Sequence, residues 1–367
     1  MNISFLATLA FVAVFAGVVL IHEFGHFLAA RLFKVEVEEF GIGLPPRILT
    51  LFHWKGTAFT LNWLPLGGFV RPKGENDPKL PGGLASANPW ARLVFLLAGV
   101  TMNLIAGVLV YSLLFTQIGL PDYNQVMLYD IVPGSPADQV GLKAEDVVLT
   151  AGGEQIASED QLRAIIHAHL GQPLSLTVRR GDQTLKLTAS PLGSRTAEQG
   201  ALGILPGPLF VPAKSWFATL PYSVLTTYNQ VYRILSLPAQ LLRGTVSAEQ
   251  GRFIGLKGIY DFFQQAFSRD VESRASTPTT SEPQKPTNFT LELIATLTVT
   301  LGVFNLLPFP ALDGARVLFV LPEILMRRRI SPEFENLVHG LGFALLLVLM
   351  LYINIMDFVN PAQIVLP

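Results

Sequence analysis

Four apolar runs, each long enough to cross about 30 Å of hydrocarbon as a helix, constrain this chain more than any other feature. They lie at 5–30, 93–115, 289–307 and 337–355. Inside a bilayer every backbone polar group must be satisfied within the protein, so all four runs are predicted to be helices. Only 14% of the residues are charged, against about 25% in an ordinary soluble domain. Lys plus Arg (26) nearly cancels Asp plus Glu (27), so no overall field draws the chain to nucleic acid. Cysteine is absent, which excludes disulfides, thiolate catalysis and Cys-ligated metals.

The first run could be a cleaved signal peptide, but no basic residue precedes it and it exceeds an h-region of about 7–15 residues. Four spans put both termini on one side. The segment 31–92 carries eight cations (Arg31, Lys34, Arg47, Lys55, Arg71, Lys73, Lys79, Arg92), and the link between the last two runs carries Arg316, Arg327, Arg328 and Arg329. The positive-inside rule makes those links cytoplasmic. The termini and 117–288 are then extracytoplasmic, in a multi-pass membrane protein.

Val132-Pro133-Gly134-Ser135-Pro136-Ala137 with Gly141-Leu142-Lys143 and Glu145-Asp146 resembles a PDZ domain, so the expected fold class is a polytopic α-helical membrane protein with a membrane-associated β-hairpin and an inserted extracytoplasmic PDZ-like α+β domain. The segments are 1–34 (first span), 35–86 (cytoplasmic or re-entrant β region), 87–118 (second span), 119–193 (PDZ-like), 194–267 (amphipathic, on the membrane surface), 268–288 (disordered linker), 289–333 (third span and cytoplasmic link) and 334–367 (fourth span). Within the PDZ-like part, strands are expected at 126–132, 146–151, 174–179 and 183–188, with a helix from Ser158 to Leu170 that Ser158 caps. The segment 268–288 is rich in Ser, Thr, Pro and Glu, hence the disordered reading.

The first span carries His22-Glu23-Phe24-Gly25-His26. On a helix, positions i and i+4 share a face, so both imidazoles can reach one ion, and Glu23 can hold the water that the ion polarises. Ionisable groups within a span are costly and by default mark function. A catalytic zinc takes three protein ligands. His53 lies in a loop, His167 and His169 diverge, and His339 begins the fourth run. Asp313 is the better third ligand. It follows Asn305-Leu306-Leu307-Pro308-Phe309-Pro310-Ala311-Leu312 on the same membrane side, where two prolines stop the helix.

These two motifs together resemble the site-two protease family of intramembrane zinc metalloproteases, in its bacterial RseP-type branch with a PDZ domain. Further matches are Pro65-Leu66-Gly67-Gly68-Phe69-Val70, Gly99 with Asn103, and 251–258. The resemblance implies His22, His26 and Asp313 as zinc ligands, Glu23 as the catalytic base and Asn305 near the substrate backbone. Asn103, Gly67 and Gly68 are weighed as further substrate contacts, with helix packing the equal reading for Asn103. The alternating segment 57–70 is read as a strand clamp for an unwound substrate. The implied partners are the lipid bilayer and single-span membrane proteins, such as anti-sigma factors or signal-peptide remnants, cut after a first extracytoplasmic cleavage. The alternatives are a non-catalytic PDZ adaptor with a structural metal, and a metal-ion transporter. A closed structural site wants four protein ligands, and only Glu23 is left over.

Overall fold

The computed structural model describes residues 3–75, 77–193, 200–244, 252–275 and 288–361. In chain order the elements are Ile3–Leu32 (α1), Val37–Trp54 (β1), Thr57–Pro72 (β2), Pro89–Ile118 (α2), Leu120–Ile131 (β3), Pro136–Gln139 (α3), Val147–Ala151 (β4), Glu154–Gln155 (β5), Glu159–Ala168 (α4), Leu174–Arg180 (β6), Gln183–Ala189 (β7) and Ile204–Val211 (β8). Then follow Trp216–Leu242 (α5), Leu256–Ala275 (α6), Phe289–Leu306 (α7), Asp313–Met326 (α8) and Pro332–Val359 (α9). They form two compact units, one of 1–117 with 216–367 and one of 118–215.

In the first unit, α1, α2, α7 and α9 are long and apolar enough to cross a membrane, one for each apolar run. Helices that share a lipid environment associate through close backbone contact at small residues. A Cβ on Gly25 of α1 would stand 2.8 Å from the Ala98 carbonyl carbon of α2, so only glycine lets the two helices approach there. On α2, Gly99 faces the imidazoles of α1.

The sheet of this unit is built from two strands that fold back on themselves. Phe40 pairs with both Val70 and Phe59, and Ile42 with both Gly68 and Leu61, while Leu49 and Phe52 pair with Leu61 and Phe59. Residues 57–61 therefore lie between 37–42 and 47–54, and 68–72 forms an outer edge. Phe27 of α1 seats this sheet, with Phe40 and Phe59 edge-on at 5.7 Å. Beneath it Glu39 is buried and accepts from Thr60 Oγ1 at 2.8 Å, Arg47 Nη2 at 2.9 Å and Arg71 Nη1 at 2.9 Å. Burial pushes its carboxyl pKa up, but these donors outweigh burial and hold it below the usual carboxylate value.

The second unit is an antiparallel sheet in the order β7-β6-β4-β3-β8, with β5 paired to β4. Leu128, Leu162, Leu174 and Val178 are fully buried in its core. Ser158 caps α4 by accepting from Gln161 N at 3.2 Å.

Three segments differ from expectation. The strand Ile204–Val211 falls in the region read as amphipathic membrane surface, yet it pairs along β3. Its Pro206 and Pro208 mask it as a strand, since proline is tolerated only where no ladder donor is needed, as at this sheet edge. The helix α5 does not lay an apolar face against the protein. Its buried positions are Thr219, Ser223 and Thr227. Thr219 Oγ1 lies 2.5 Å from Ser112 Oγ, and Gln230 meets Tyr111 Oη at 2.7 Å and the Thr296 carbonyl at 2.9 Å. Polar groups thus dock it on α2 and α7, and its aromatic residues point outward. The segment read as disordered from 268 begins as helix through Ala275, while 276–287 lie outside the described residues.

Candidate metal centre

The centre lies where α1, α2 and the break between α7 and α8 meet. Pro308 and Pro310 cannot continue α7, because each lacks an N–H and clashes with the preceding turn. The chain turns through 307–312 and restarts as α8, with Asp313 in its first turn. Asp313 Oδ2 lies 3.0 Å from His22 Nε2 and 3.2 Å from His26 Nε2, and the two Nε2 atoms are 3.1 Å apart. Tetrahedral zinc with bonds of about 2.0–2.1 Å separates its ligand atoms by about 3.3 Å. Three donor atoms already stand close to that spacing.

The protonation pattern agrees. His26 Nδ1 is 2.8 Å from the Phe95 carbonyl, which can only accept, so Nδ1 carries the hydrogen and Nε2 presents a lone pair. Two imidazole nitrogens and a carboxylate oxygen converging in this way suit a shared cation better than one another. Gly99 keeps the space open, since a Cβ there would stand 2.6 Å from both Nε2 atoms.

A cavity of about 300 Å³ opens onto this cluster. Glu23, Asn305, Phe69 and Val70 line it along with the three donors. Glu23 Oε2 accepts the backbone N–H of Val70 at 3.0 Å, so the outer edge of the sheet orients the carboxylate. Asn305 Nδ2 reaches to 3.4 Å from His22 Nε2. Arg316 and Glu75, paired to each other, stand at the cavity wall.

Five of the residues singled out from sequence therefore meet here: His22, Glu23, His26, Asn305 and Asp313. Asn103 does not line the cavity. It is fully buried against Gly302 of α7, and neither amide atom has a partner among the described residues. Gly67 and Gly68 pack against Val19 and Leu20 of α1, and it is the next two residues that reach the cavity. The Val70 amide and the Phe95 carbonyl escaped sequence reading because backbone groups carry no residue signature.

The profile of peptidase family M50 matches residues 10–349. The zinc metalloprotease RasP of Oceanobacillus iheyensis is 27% identical, over 94% of this chain and 97% of its own. The metalloprotease MmpA of Caulobacter vibrioides is 28% identical, over 92% of each chain.

Proposed function

The chain belongs to peptidase family M50 and is a zinc metalloendopeptidase, and we propose that it cuts membrane-protein substrates within or beside their transmembrane segments. The observation that carries this is the convergence of two imidazoles and one carboxylate in a cavity that also holds Glu23, on helices apolar enough to cross a membrane. His22 Nε2, His26 Nε2 and Asp313 Oδ2 would hold the metal. Zinc supplies Lewis acidity toward a water molecule and the scissile carbonyl.

The remaining chemistry belongs to the chain. Glu23 takes a proton from water and returns it to the leaving amine, the usual general acid–base role. Its bond from the Val70 N–H aims the carboxylate. Asn305 offers its amide to the substrate backbone. Residues 68–72 offer an edge with no further strand partner among the described residues, on which an unwound substrate can add as a strand and replace its lost helical bonds. Leu61 sits between two strands, so it supports this edge and is not itself the clamp. Gly67 and Gly68 bring the edge close to α1, and Asn103 sets the spacing of α2 and α7.

In the cell this activity is the second step of regulated intramembrane proteolysis, acting on single-span proteins such as anti-sigma factors after an extracytoplasmic cut. The cationic links around Arg92 and Arg327–Arg329 support a cytoplasmic face for the site, in a bacterial inner membrane. The segment 119–193, PDZ-like in its expected role, is then extracytoplasmic and binds a fresh C-terminus or excludes uncut substrates.

The test is cleavage of a single-span substrate, truncated on its extracytoplasmic side, by the purified chain and by Glu23→Gln, with bound zinc measured in both. General acid–base loss is expected to lower kcat by about 10³-fold with zinc retained. Equal cleavage by both proteins would remove Glu23 from the chemistry, and zinc-loaded protein that cuts nothing would favour an adaptor.

A further inference from the structure

The loop that delivers Asp313 is held from outside by a residue that the proposed chemistry does not use. Ala311, two residues before Asp313, adopts φ +81°, a left-handed conformation that an alanine rarely takes. Its N–H donates to His339 Nδ1 of α9 at 3.0 Å. One turn further along α9, Gly342 meets the same loop, where a Cβ would stand 3.0 Å from Pro310 Cα. The start of α9 therefore grips Pro310 and the left-handed alanine together.

The state of the His339 ring shows which of its atoms matters. Nδ1 accepts a hydrogen bond, so in the neutral ring the hydrogen sits on Nε2. That Nε2 is buried with no partner among the described residues. The ring also lies 5.5 Å from Phe319. A side chain kept only to fill space beside Phe319 would be apolar, since a buried N–H without an acceptor is costly. The acceptor at Nδ1 is what an apolar residue could not supply.

We propose that His339 is a positioning residue for the metal-ligand loop: by accepting the Ala311 N–H it keeps the turn of 307–312 in the shape that places Asp313 Oδ2 between the two imidazoles. The inference rests on the assignment of His22, His26 and Asp313 as zinc ligands. Without the acceptor, Ala311 relaxes from its left-handed conformation and Asp313 drifts. A displacement of about 1 Å at such a site is enough to cost up to about a hundredfold in rate.

Substitutions at 339 separate this role from packing. Asparagine carries an acceptor where Nδ1 was, glutamine carries one where Nε2 was, and phenylalanine keeps the ring but no acceptor. Full-length wild type, His339→Asn, His339→Gln and His339→Phe would be purified in detergent. Zinc retention under a chelator, kcat and KM on the single-span substrate, and the thermal midpoint would be measured for each. His339→Gln and His339→Phe are expected to lose zinc about tenfold faster, the usual effect of freeing a ligand from its support, with kcat lowered and KM unchanged. His339→Asn is expected to restore both zinc retention and kcat. Full function in His339→Phe with failure in His339→Asn would assign His339 to packing and overturn the proposal, as would three variants that all match wild type. If His339→Phe fails to fold, the contrast between asparagine and glutamine still decides. Wild type without zinc, or Asp313→Ala holding zinc as firmly as wild type, would overturn the ligand assignment and the positioning role with it.

Discussion

The two units differ in how much polar side chain they bury beside their apolar residues. In the unit of 118–215 the core is Leu, Val, Ile and Ala, as in a water-soluble domain. In the other unit the buried set includes His22, His26, Arg92, Asn103, Ser112, Thr219 and Asp357, while α9 exposes Phe343, Leu345, Val348 and Leu351. The difference follows from the medium. Against lipid an exposed Leu costs nothing, so polar contact and close packing hold the helices together; against water, apolar burial does that work.

The sharpest way to break this contrast is to remove one member of a buried ion pair in the helical unit. Arg92 Nη1 meets Glu323 Oε2 at 2.7 Å, with the Arg92 side chain 8% exposed. Arg92→Met is expected to destabilise by about 3 kcal/mol, because Glu323, 18% exposed, keeps only the 4.0 Å contact from Arg329 Nε, and adding Glu323→Leu should recover part of that. Denaturation in detergent measures it, and no recovery in the double variant would contradict the account.

A matched pair of truncations comes next. Leu162→Ala in the β-rich core should cost about 2–5 kcal/mol through lost burial and a cavity. Leu347→Ala on the exposed face of α9 should change stability by less than about 1 kcal/mol in detergent, since its surroundings stay apolar in the unfolded-in-detergent state. Equal costs for the two would mean that α9 is covered by protein.

The smallest effect concerns Glu39. Its folded-state carboxyl is held below its ordinary value, so its contribution is present above the unfolded carboxyl pKa and disappears as pH falls through the folded value. Glu39→Gln should cost about 1 kcal/mol at neutral pH: the amide oxygen still accepts from Thr60, and what is lost is the charge that strengthens that buried bond and draws Arg47 and Arg71, both half exposed. The difference between variant and wild type should vanish in acid. A gap that persists in acid would mean that the loss comes from packing.

Local patterns explain how much could be read in advance. The strands β3, β4, β6 and β7 and the cap at Ser158 lie in short-range alternation and turn chemistry, and the four apolar runs announce themselves by length. The pairing of α5 with α2 and α7 was illegible. Its apolar residues face outward and its small hydroxyls inward, which periodicity alone reads as a surface helix. The strand at 204–211 was hidden by its prolines.

By itself, the sequence determined the membrane-spanning character of the chain, the absence of thiol chemistry, and a set of ionisable residues too costly to stand in an apolar helix without a purpose. Tertiary structure alone decided that the Val70 amide aims Glu23, that the Phe95 carbonyl sets the tautomer of His26, and that His339 holds the loop before Asp313. Each of these joins a side chain to a backbone group from a different element. A backbone group is the same in every residue, so only the folded path of the chain says which one arrives.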